Sequence, residues 1–213
     1  MKNFIYSLIE KGVVIDMPDS IHIDEEVCVE KGVKIHPFST VRGKTILKKG
    51  SEIGPGSDIN NSEIGSNTKI LRSTVSDSKI KGRCSIGPYS HVRNNTTIGQ
   101  NCRIGNYVEI KKSNIKSNVK ISHLSYVGNS EIFENVNIGA GTITCNFDGI
   151  KKNKTIIKKN SFIGSNSLLI APVSIGENVT IGAGSVITKD VNDGSLGISR
   201  SRQKIIKNWK SKT

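Results

Sequence analysis

The chain has 213 residues, which is enough for one well-buried domain or two small ones. Aromatic residues make up only 5% of it and hydrophobic residues 35%, so the composition excludes a core built from large rings. Its 31 Lys and Arg residues against 18 Asp and Glu residues give a net charge of +13, which favours polyanionic partners such as phosphates, nucleotides or nucleic acid.

Two features bear on where the protein works. No stretch approaches 18 apolar residues and the N-terminus lacks a signal-peptide pattern, so we expect no membrane span and no secretion. The four cysteines form no CxxC pair, which argues against zinc ribbons and disulfide scaffolds and is typical of free thiols in a reducing compartment. We therefore expect a cytoplasmic protein.

Residues 1–16 form the first predicted element, a linker-like segment. Phe4, Ile5, Leu8 and Ile9 are spaced as on one face of a helix, and Gly12 follows as a stop signal. The pattern predicts a short N-terminal helix.

Residues 17–191 contain an aliphatic residue at almost every sixth position, a spacing that no helix produces. A small or β-branched residue recurs two positions before most of these aliphatic residues, so by alternation the two share one face of a short strand. The aliphatic positions are Met17, Ile23, Val29, Ile35, Val41, Leu47, Ile53, Ile59, Ile64, Val75, Ile80, Ile86, Val92, Ile98, Ile104, Ile110, Ile157, Ile163, Leu169, Ile175, Ile181 and Ile187.

Three equal strands per coil predict an all-β fold, a triangular prism of parallel strands with about nine coils. Equal hexapeptides resemble those of the left-handed parallel β-helix family. Ten inward aliphatic residues, eight of them in this series together with Val127 and Ile138, are followed directly by Gly, and we expect these glycines to turn the corners with positive φ. They are Gly54, Gly65, Gly87, Gly99, Gly105, Gly128, Gly139, Gly164, Gly176 and Gly182.

The rhythm breaks once, at residues 145–156. The segment TCNFDGIKKNK is polar and basic, which predicts a loop ejected from one side of the prism. Loops on rigid scaffolds often carry catalytic or binding residues, although a solvent-exposed insertion without such a role would have the same sequence pattern.

Residues 192–213 form a basic C-terminal tail. Ile205, Ile206 and Trp209 recur there at helical spacing, which predicts a tail helix packed on the prism.

A series of motifs then identifies a family. VRNN, GNYVEIKK, SHLSYVG, NVNIGAGTITCNFDG, FIGSNSLLIAPV, TIGAGSVITKDV and ISR follow one another in the order and spacing of a known domain. Almost the whole chain resembles the acetyltransferase half of the bacterial bifunctional N-acetylglucosamine-1-phosphate uridyltransferases/glucosamine-1-phosphate acetyltransferases. The Gly-rich nucleotidyltransferase domain of that family does not occur in the sequence, so we expect no uridylyl transfer from it.

The resemblance implies acetyl transfer from acetyl-CoA to glucosamine 1-phosphate, a step towards UDP-N-acetylglucosamine and the cell envelope, with no metal required. It makes His123 the general base for the acceptor amine. Three positions depart from the family: Phe147 stands where Tyr is usual, and Ser122 and Phe133 replace glycines. These changes affect the acetyl-donor site, the neighbourhood of His123 and one corner.

Arg93 and Lys111 are 18 residues apart, one full coil, so we expect them to stack and clamp a phosphate. The resemblance assigns Tyr126, Asn137 and Lys152 to the same sugar phosphate. It also implies a homotrimer in which neighbouring copies build each site, with the loop reaching across to close it. Positions that match acetyl-CoA contacts in the family are Ala140, Asn146, Phe147, Ser165, Ala183 and Arg200.

Two other functions remain open at this stage, and a third is disfavoured. A related acyltransferase could act on another amino sugar or nucleotide sugar, and a non-catalytic scaffold that binds polyanions would also explain the charge. The zinc carbonic anhydrases that share this fold need three histidine ligands, whereas His22, His36, His91 and His123 offer no close pair. We expect neither membrane nor nucleic-acid binding.

Overall fold

A computed structural model describes residues 2–207 and Trp209. Helix α1, Lys2–Glu10, leads into a solenoid of short parallel strands, with one 3₁₀ turn at Pro18–Ser20. The chain passes in turn through three sheets, here called sheets 1, 2 and 3, with nine to eleven strands each, so the solenoid has about ten coils. The prediction of a prism of parallel strands is confirmed.

The strand bounds follow. Sheet 1 contains Val14–Ile15, Lys34–Ile35, Glu52–Ile53, Lys69–Ile70, Ser85–Ile86, Arg103–Asn106, Lys120–His123, Asn137–Ile138, Phe162–Ile163, Thr180–Ile181 and Leu196–Gly197. Sheet 2 contains His22–Ile23, Thr40–Arg42, Asp58–Asn60, Thr74–Ser76, His91–Arg93, Glu109–Lys111, Tyr126–Gly128, Ile143–Cys145, Leu168–Ile170 and Val186–Ile187. Sheet 3 contains Cys28–Val29, Ile46–Leu47, Glu63–Ile64, Lys79–Ile80, Thr97–Ile98, Asn114–Ile115, Ser130–Ile132, Thr155–Ile157 and Val173–Ile175.

The recurring aliphatic residues fill the inside of the prism. Residues such as Ile53, Ile98 and Leu169 are fully buried, and each such side chain contributes about 1.5 to 3 kcal/mol on transfer from water. Equivalent positions of successive coils pair directly, as Ile104 does with Ile121. The first member of the predicted series is wrong: Met17 is 62% exposed, because it lies at a corner with φ 51° just before the 3₁₀ turn.

The glycines after the aliphatic residues serve a different purpose from the one predicted. Of these ten, only Gly87 has positive φ. A methyl group on Gly99 would lie 2.5 Å from the carbonyl carbon of Lys116, and one on Gly139 would lie 2.5 Å from the Ser165 nitrogen. These positions need glycine because the backbone of the next coil passes too close for a Cβ atom.

Left-handed residues at the corners do the turning instead. At the corner between sheets 3 and 1, successive coils place asparagine at positive φ, which asparagine tolerates better than most residues. Their side-chain amides bond to one another, from Asn101 to Asn118 at 3.2 Å and from Asn118 to Asn135 at 3.0 Å. The bonds continue to Asn160 and Asn178. This corner is therefore held by a polar ladder that runs parallel to the prism axis.

The two ends of the chain behave differently. The predicted N-terminal helix is confirmed as α1, whose Ile5 and Leu8 are buried in the core cluster. The predicted tail helix is wrong within the described part of the tail: residues 198–207 are irregular, and Ile205, Ile206 and Trp209 are 78%, 66% and 74% exposed. In residues 2–207, helix α1 is much too short to cross a bilayer, and no other helix there is long and apolar enough.

Candidate active site

A cluster of cations lies at one edge of the outer face of sheet 2. Arg93 pairs with Lys111 across adjacent strands, so the predicted stacking is confirmed. Lys152 from the loop contacts the Lys111 side chain and, together with Arg93, lowers the pKa of Lys111, because neighbouring positive charges disfavour its protonated form. Three positive side chains are therefore held close together at this edge.

The three cations are not equivalent. Arg93 is already paired: its Nε and Nη2 donate to Glu109 Oε1 at 2.9 and 2.6 Å, and its Nη1 donates to Asn94 Oδ1 at 3.0 Å. Among residues 2–207, by contrast, no carboxylate forms a salt bridge with Lys111 or Lys152. The charges of the two lysines are therefore not neutralised by a carboxylate in the described residues, and Arg93 pairs with Lys111 from the preceding coil.

Asp148 organises the loop that carries Lys152. Its carboxylate accepts hydrogen bonds from the Lys151 and Ile150 backbone N–H groups at 2.8 and 2.9 Å and from the Asn153 side chain at 2.8 Å. These bonds lower the pKa of Asp148 to about 2. An antiparallel bridge between Phe147 and Lys152 closes the turn. The break in the hexapeptide rhythm is thus an ordered hairpin that folds back over the cation cluster.

Two polar groups converge beside Lys111. Lys111 pairs with Gly128, and a methyl group built on Gly128 would lie 2.5 Å from Tyr126 Oη and 2.8 Å from Asn146 Nδ2. Asn146 is buried, and its Nδ2 donates to Asn129 Oδ1 at 2.8 Å, which ties the start of the loop to the prism. The missing side chain at Gly128 therefore makes room for the Tyr126 hydroxyl next to the lysines.

His123 lies at the opposite edge of sheet 2, at the corner between sheets 1 and 2. Its Nδ1 is 2.6 Å from Asn106 Oδ1. An amide oxygen only accepts, so Nδ1 carries the proton and Nε2 of the neutral ring is left as a proton acceptor. Sequence reasoning missed Asn106; the only available signal was that it precedes His123 by 17 residues, about one coil.

Small residues continue from His123 along the same corner. The Gly141 N–H donates to the His123 carbonyl oxygen at 3.2 Å, the Asn166 N–H to Ala140 at 2.7 Å and the Gly184 N–H to Ser165 at 2.8 Å. Ala140, Ser165 and Ala183 therefore stand one above the other in successive coils, and the last two are exposed. These small side chains leave a narrow exposed surface along the corner, here called the corner shelf, which begins at His123.

Other predicted site residues are not gathered with these groups in one chain. Asn137 lies on sheet 1, where it pairs with Lys120 and Phe162. Phe147 is 58% exposed on the loop, and Arg200 is exposed beyond the last strand. Ser122 is half-buried beside His123, and the Phe133 N–H still donates to the Ile157 carbonyl at 2.9 Å, so neither departure from the family breaks its coil.

Two further observations concern cavities and metal-binding clusters. An open cavity of about 470 Å³ lies on the sheet 3 side of the loop and is lined by Lys112, Lys152 and Lys154 among others, but not by His123. Throughout residues 2–207, no three His, Cys, Asp or Glu side chains are arranged to hold a metal ion. The candidate site is therefore the open face of sheet 2 and its corner, not an enclosed pocket.

Comparison with known proteins agrees with this architecture. The bacterial transferase hexapeptide family (six repeats) matches residues 77–112 and 154–189. The bifunctional protein GlmU of Picosynechococcus sp. is 50% identical over 199 residues, which cover 93% of this chain and 44% of that protein. The chain is a hexapeptide-repeat relative of GlmU. A second GlmU, from Thermosipho africanus, is 49% identical over 95% of this chain and 45% of its own length.

The chain thus spans less than half the length of the GlmU proteins it matches, namely their C-terminal part. Hexapeptide repeats of this kind fit the left-handed form of the β-helix. Among solved structures, an Arabidopsis UDP-N-acetylglucosamine acyltransferase shares the fold, with a TM-score of 0.56 and 17% identity over 83% of this chain and 69% of that one.

Proposed function

We propose that this chain is an acetyl-CoA-dependent N-acetyltransferase that converts glucosamine 1-phosphate into N-acetylglucosamine 1-phosphate. One observation carries the proposal: two contacting lysines that form no salt bridge with a carboxylate among residues 2–207 lie at one border of sheet 2, and a histidine with a free ring nitrogen lies at its other border, the corner with sheet 1. An amino-sugar phosphate needs both kinds of group, cations for its phosphate and a base for its amine.

The phosphate binds Lys111 and Lys152, and its negative charge relieves the repulsion that lowers the pKa of Lys111. Arg93, held by Glu109, adds positive charge behind them. The Tyr126 hydroxyl over Gly128 lies where it can donate to the phosphate or the sugar. Binding energy gained at the phosphate positions the neighbouring amine for reaction, which is how a group that does not react accelerates a step.

His123 removes the proton that the acceptor must lose. Nε2 takes a proton from the amine as the nitrogen attacks the thioester carbonyl, so a C–N bond forms and the C–S bond of acetyl-CoA breaks. The same proton then passes to the departing thiolate, which leaves as CoA–SH. The backbone of Ala140, one coil above His123, is placed to meet the carbonyl oxygen that becomes negative.

The donor lies along the corner shelf. Ser165 and Ala183 present small side chains there, which leaves space for an extended pantetheine arm, and the exposed guanidinium of Arg200 suits a CoA phosphate. Phe147 borders the donor without a hydroxyl, and Asn146 holds the loop from below through Asn129. The acetyl donor and sugar phosphate are soluble metabolites, so the proposal places the reaction in the cytoplasm.

A homotrimer belongs to the same proposal. Tyr126 and Lys111 lie on sheet 2 and Lys152 lies on the loop beside it, whereas Asn137 lies on sheet 1, which faces away from them in the same chain. A site that uses both faces needs sheet 1 of a neighbouring copy opposite sheet 2. The loop at 145–156 then reaches towards that neighbour.

The test is a thiol-release assay with purified protein, acetyl-CoA and a panel of amino sugars that includes glucosamine 1-phosphate, glucosamine 6-phosphate and an amino nucleotide sugar. We expect release with the 1-phosphate and a rate about 10²- to 10⁴-fold lower in His123→Ala. A Phe147→Tyr variant is run alongside. Release only with another acceptor would select a related acyltransferase, and failure to bind acetyl-CoA would overturn the enzyme proposal in favour of a scaffold.

A further inference from the structure

The open cavity of about 470 Å³ on the sheet 3 side of the loop lies outside the candidate active site. It is bordered by the corner between sheets 2 and 3 and by the loop, and the outer face of sheet 3 is its floor. We call it the loop groove and define it by Lys112 on the corner, Lys152 and Lys154 on the loop, and Asn114 and Glu131 on the floor. Within residues 2–207, its lining contains no residue from a strand of sheet 2.

The loop groove carries excess positive charge. Its lining has three lysines and one carboxylate, which leaves a net charge of +2. The carboxylate, Glu131, is already engaged, because its Oε2 accepts a bond from Lys154 Nζ at 2.5 Å. Among residues 2–207, Lys112 and Lys152 form no salt bridge with any carboxylate. An anion in the groove would therefore meet two ammonium groups that no carboxylate neutralises.

Neutral polar side chains in the loop groove also lack partners. In the part of the chain from residue 2 to residue 207, the side chains of Asn95, Thr97 and Asn114 make no hydrogen bond to the protein. Thr97 and Asn114 pair directly on adjacent strands of sheet 3, so their hydroxyl and amide groups lie side by side on the floor. These groups are available to donate to the oxygens of an anion.

A second open groove on the same face of the prism lacks the excess charge. It has a volume of about 430 Å³ and adjoins the loop groove. Its lining contains two lysines and two carboxylates, so its charges sum to zero. One of these carboxylates, Glu63, accepts bonds from Lys79 at 2.5 Å and from Lys48 at 2.6 Å. The excess charge is thus local to the loop groove, and Lys79 offers a matched control.

Lys152 belongs to both sides of the corner. On the sheet 2 side it contacts the Lys111 side chain, and on the sheet 3 side it lines the loop groove. Lys111 ends a strand of sheet 2, and the next residue, Lys112, turns the corner with φ 49°. The cation cluster of sheet 2 and the loop groove therefore lie on either side of one corner and share one lysine.

We propose that the loop groove is a second anion site, which binds a diphosphate group, and that an anion held there competes with the sugar phosphate for Lys152. A diphosphate has charged oxygens at both ends, which suits lysines that enter the groove from the corner and from the loop, and it neutralises the excess charge. Its binding draws Lys152 away from Lys111, so the ligand inhibits acetyl transfer. The competition rests on the proposed function, whereas the binding does not.

The binding experiment is calorimetric titration with inorganic pyrophosphate at fixed ionic strength. All variants carry Lys111→Ala, which weakens the sheet 2 cluster, and circular dichroism monitors folding. We expect one site per chain, with a dissociation constant that rises about tenfold when Lys112→Ala is added, because one charge-assisted bond is lost. Adding Lys79→Ala instead should change the constant by less than about twofold, since Glu63 already balances that lysine.

Three results would overturn the anion site. No binding to Lys111→Ala would mean that the sheet 2 cluster alone holds the anion. Equal losses from Lys112→Ala and Lys79→Ala would mean that the whole face attracts it without a site. Inorganic phosphate that binds as tightly as pyrophosphate would contradict a diphosphate that reaches lysines on the corner and on the loop.

A kinetic experiment tests the competition for Lys152. In the thiol-release assay, pyrophosphate should inhibit the wild type, and its inhibition constant should be about tenfold higher in Lys112→Ala. Equal inhibition of both proteins would mean that pyrophosphate acts only at the sheet 2 cluster, and the competition would be refuted. A chain that binds pyrophosphate in the groove but does not acetylate glucosamine 1-phosphate would reject the proposed function and support the anion site.

Discussion

Replacing Asn106 with alanine tests whether the proposed base depends on its neighbour. The substitution removes the acceptor that lies 2.6 Å from His123 Nδ1 and holds the ring with Nε2 free. Without it, the neutral ring can place its proton on either nitrogen and can rotate. We expect kcat to fall and KM for both substrates to stay nearly unchanged, because Asn106 contacts neither.

The size of the effect follows from the bond that is lost. A hydrogen bond between neutral groups is worth about 0.5 to 1.5 kcal/mol, and about 1.4 kcal/mol corresponds to a factor of ten in rate. We therefore expect a kcat about 2- to 13-fold lower. Since the pair is exposed, water can replace part of the bond, which places the value in the lower half of this range.

The assay is thiol release at saturating acetyl-CoA, carried out as a double-mutant cycle with His123→Ala. If Asn106 acts through the histidine, its removal has no further effect once His123 is gone. An equal loss of rate in both backgrounds would refute the positioning role. Asn118→Ala is the matched control, because it breaks a similar side-chain bond at a corner remote from the site and should leave kcat unchanged.

Three further predictions concern the loop and the coils. Lys152→Ala should raise KM for the sugar phosphate about tenfold, because about 1.5 kcal/mol of charge-assisted bonding is lost. The control Lys81→Ala, which removes an exposed lysine, should leave KM unchanged. Equal effects of the two variants would mean that the phosphate binds elsewhere. Gly99→Ala should lower Tm by about 2 to 12 °C, because overpacking against the next coil costs about 1 to 3 kcal/mol. The control is Gly82→Ala, where an added Cβ would lie 3.0 Å from its nearest atom. Calorimetry should show a smaller loss of Tm for this control. The pKa of Asp148 is lower in the folded protein than in the unfolded chain, so the Asp148 carboxylate stabilises the loop above about pH 3.8 and this stabilisation is lost as the pH falls towards about 2. Amide hydrogen exchange of the loop should therefore rise between pH 3.8 and about 2 in the wild type. Asp148→Asn should not show this rise.

Much of the fold could be predicted because the inward positions obey one simple rule. A side chain such as Ile98 must be aliphatic to fill the prism, so its spacing is visible in the sequence. The same rule misled at Met17, which has the right spacing but lies on a corner. The prediction that the glycines turn the corners was also wrong for most of them. A glycine that is needed because two coils approach closely has the same place in the sequence as a glycine that is needed for a turn.

The site was less predictable because its geometry depends on how coils stack. Arg93 and Lys111 could be paired in advance, since their coil has the full 18 residues. Asn106 lies 17 residues before His123, and an isolated asparagine in a chain rich in asparagine carries no distinguishing signal. The burial of Asn146 against Asn129 arises from the loop fold, which hexapeptide spacing does not describe.

Helix α1 has a consequence for how this protein avoids polymerising. Every coil of the prism offers its backbone N–H and C=O groups to the next, so an uncovered terminal coil is a template for another molecule's strands. Ile5 and Leu8 fill the core at the N-terminal end, ahead of the first strand at Val14–Ile15. A chain that lost residues 2–10 would present an open hydrophobic end of triangular cross-section, on which a second chain could stack in register and begin a fibre.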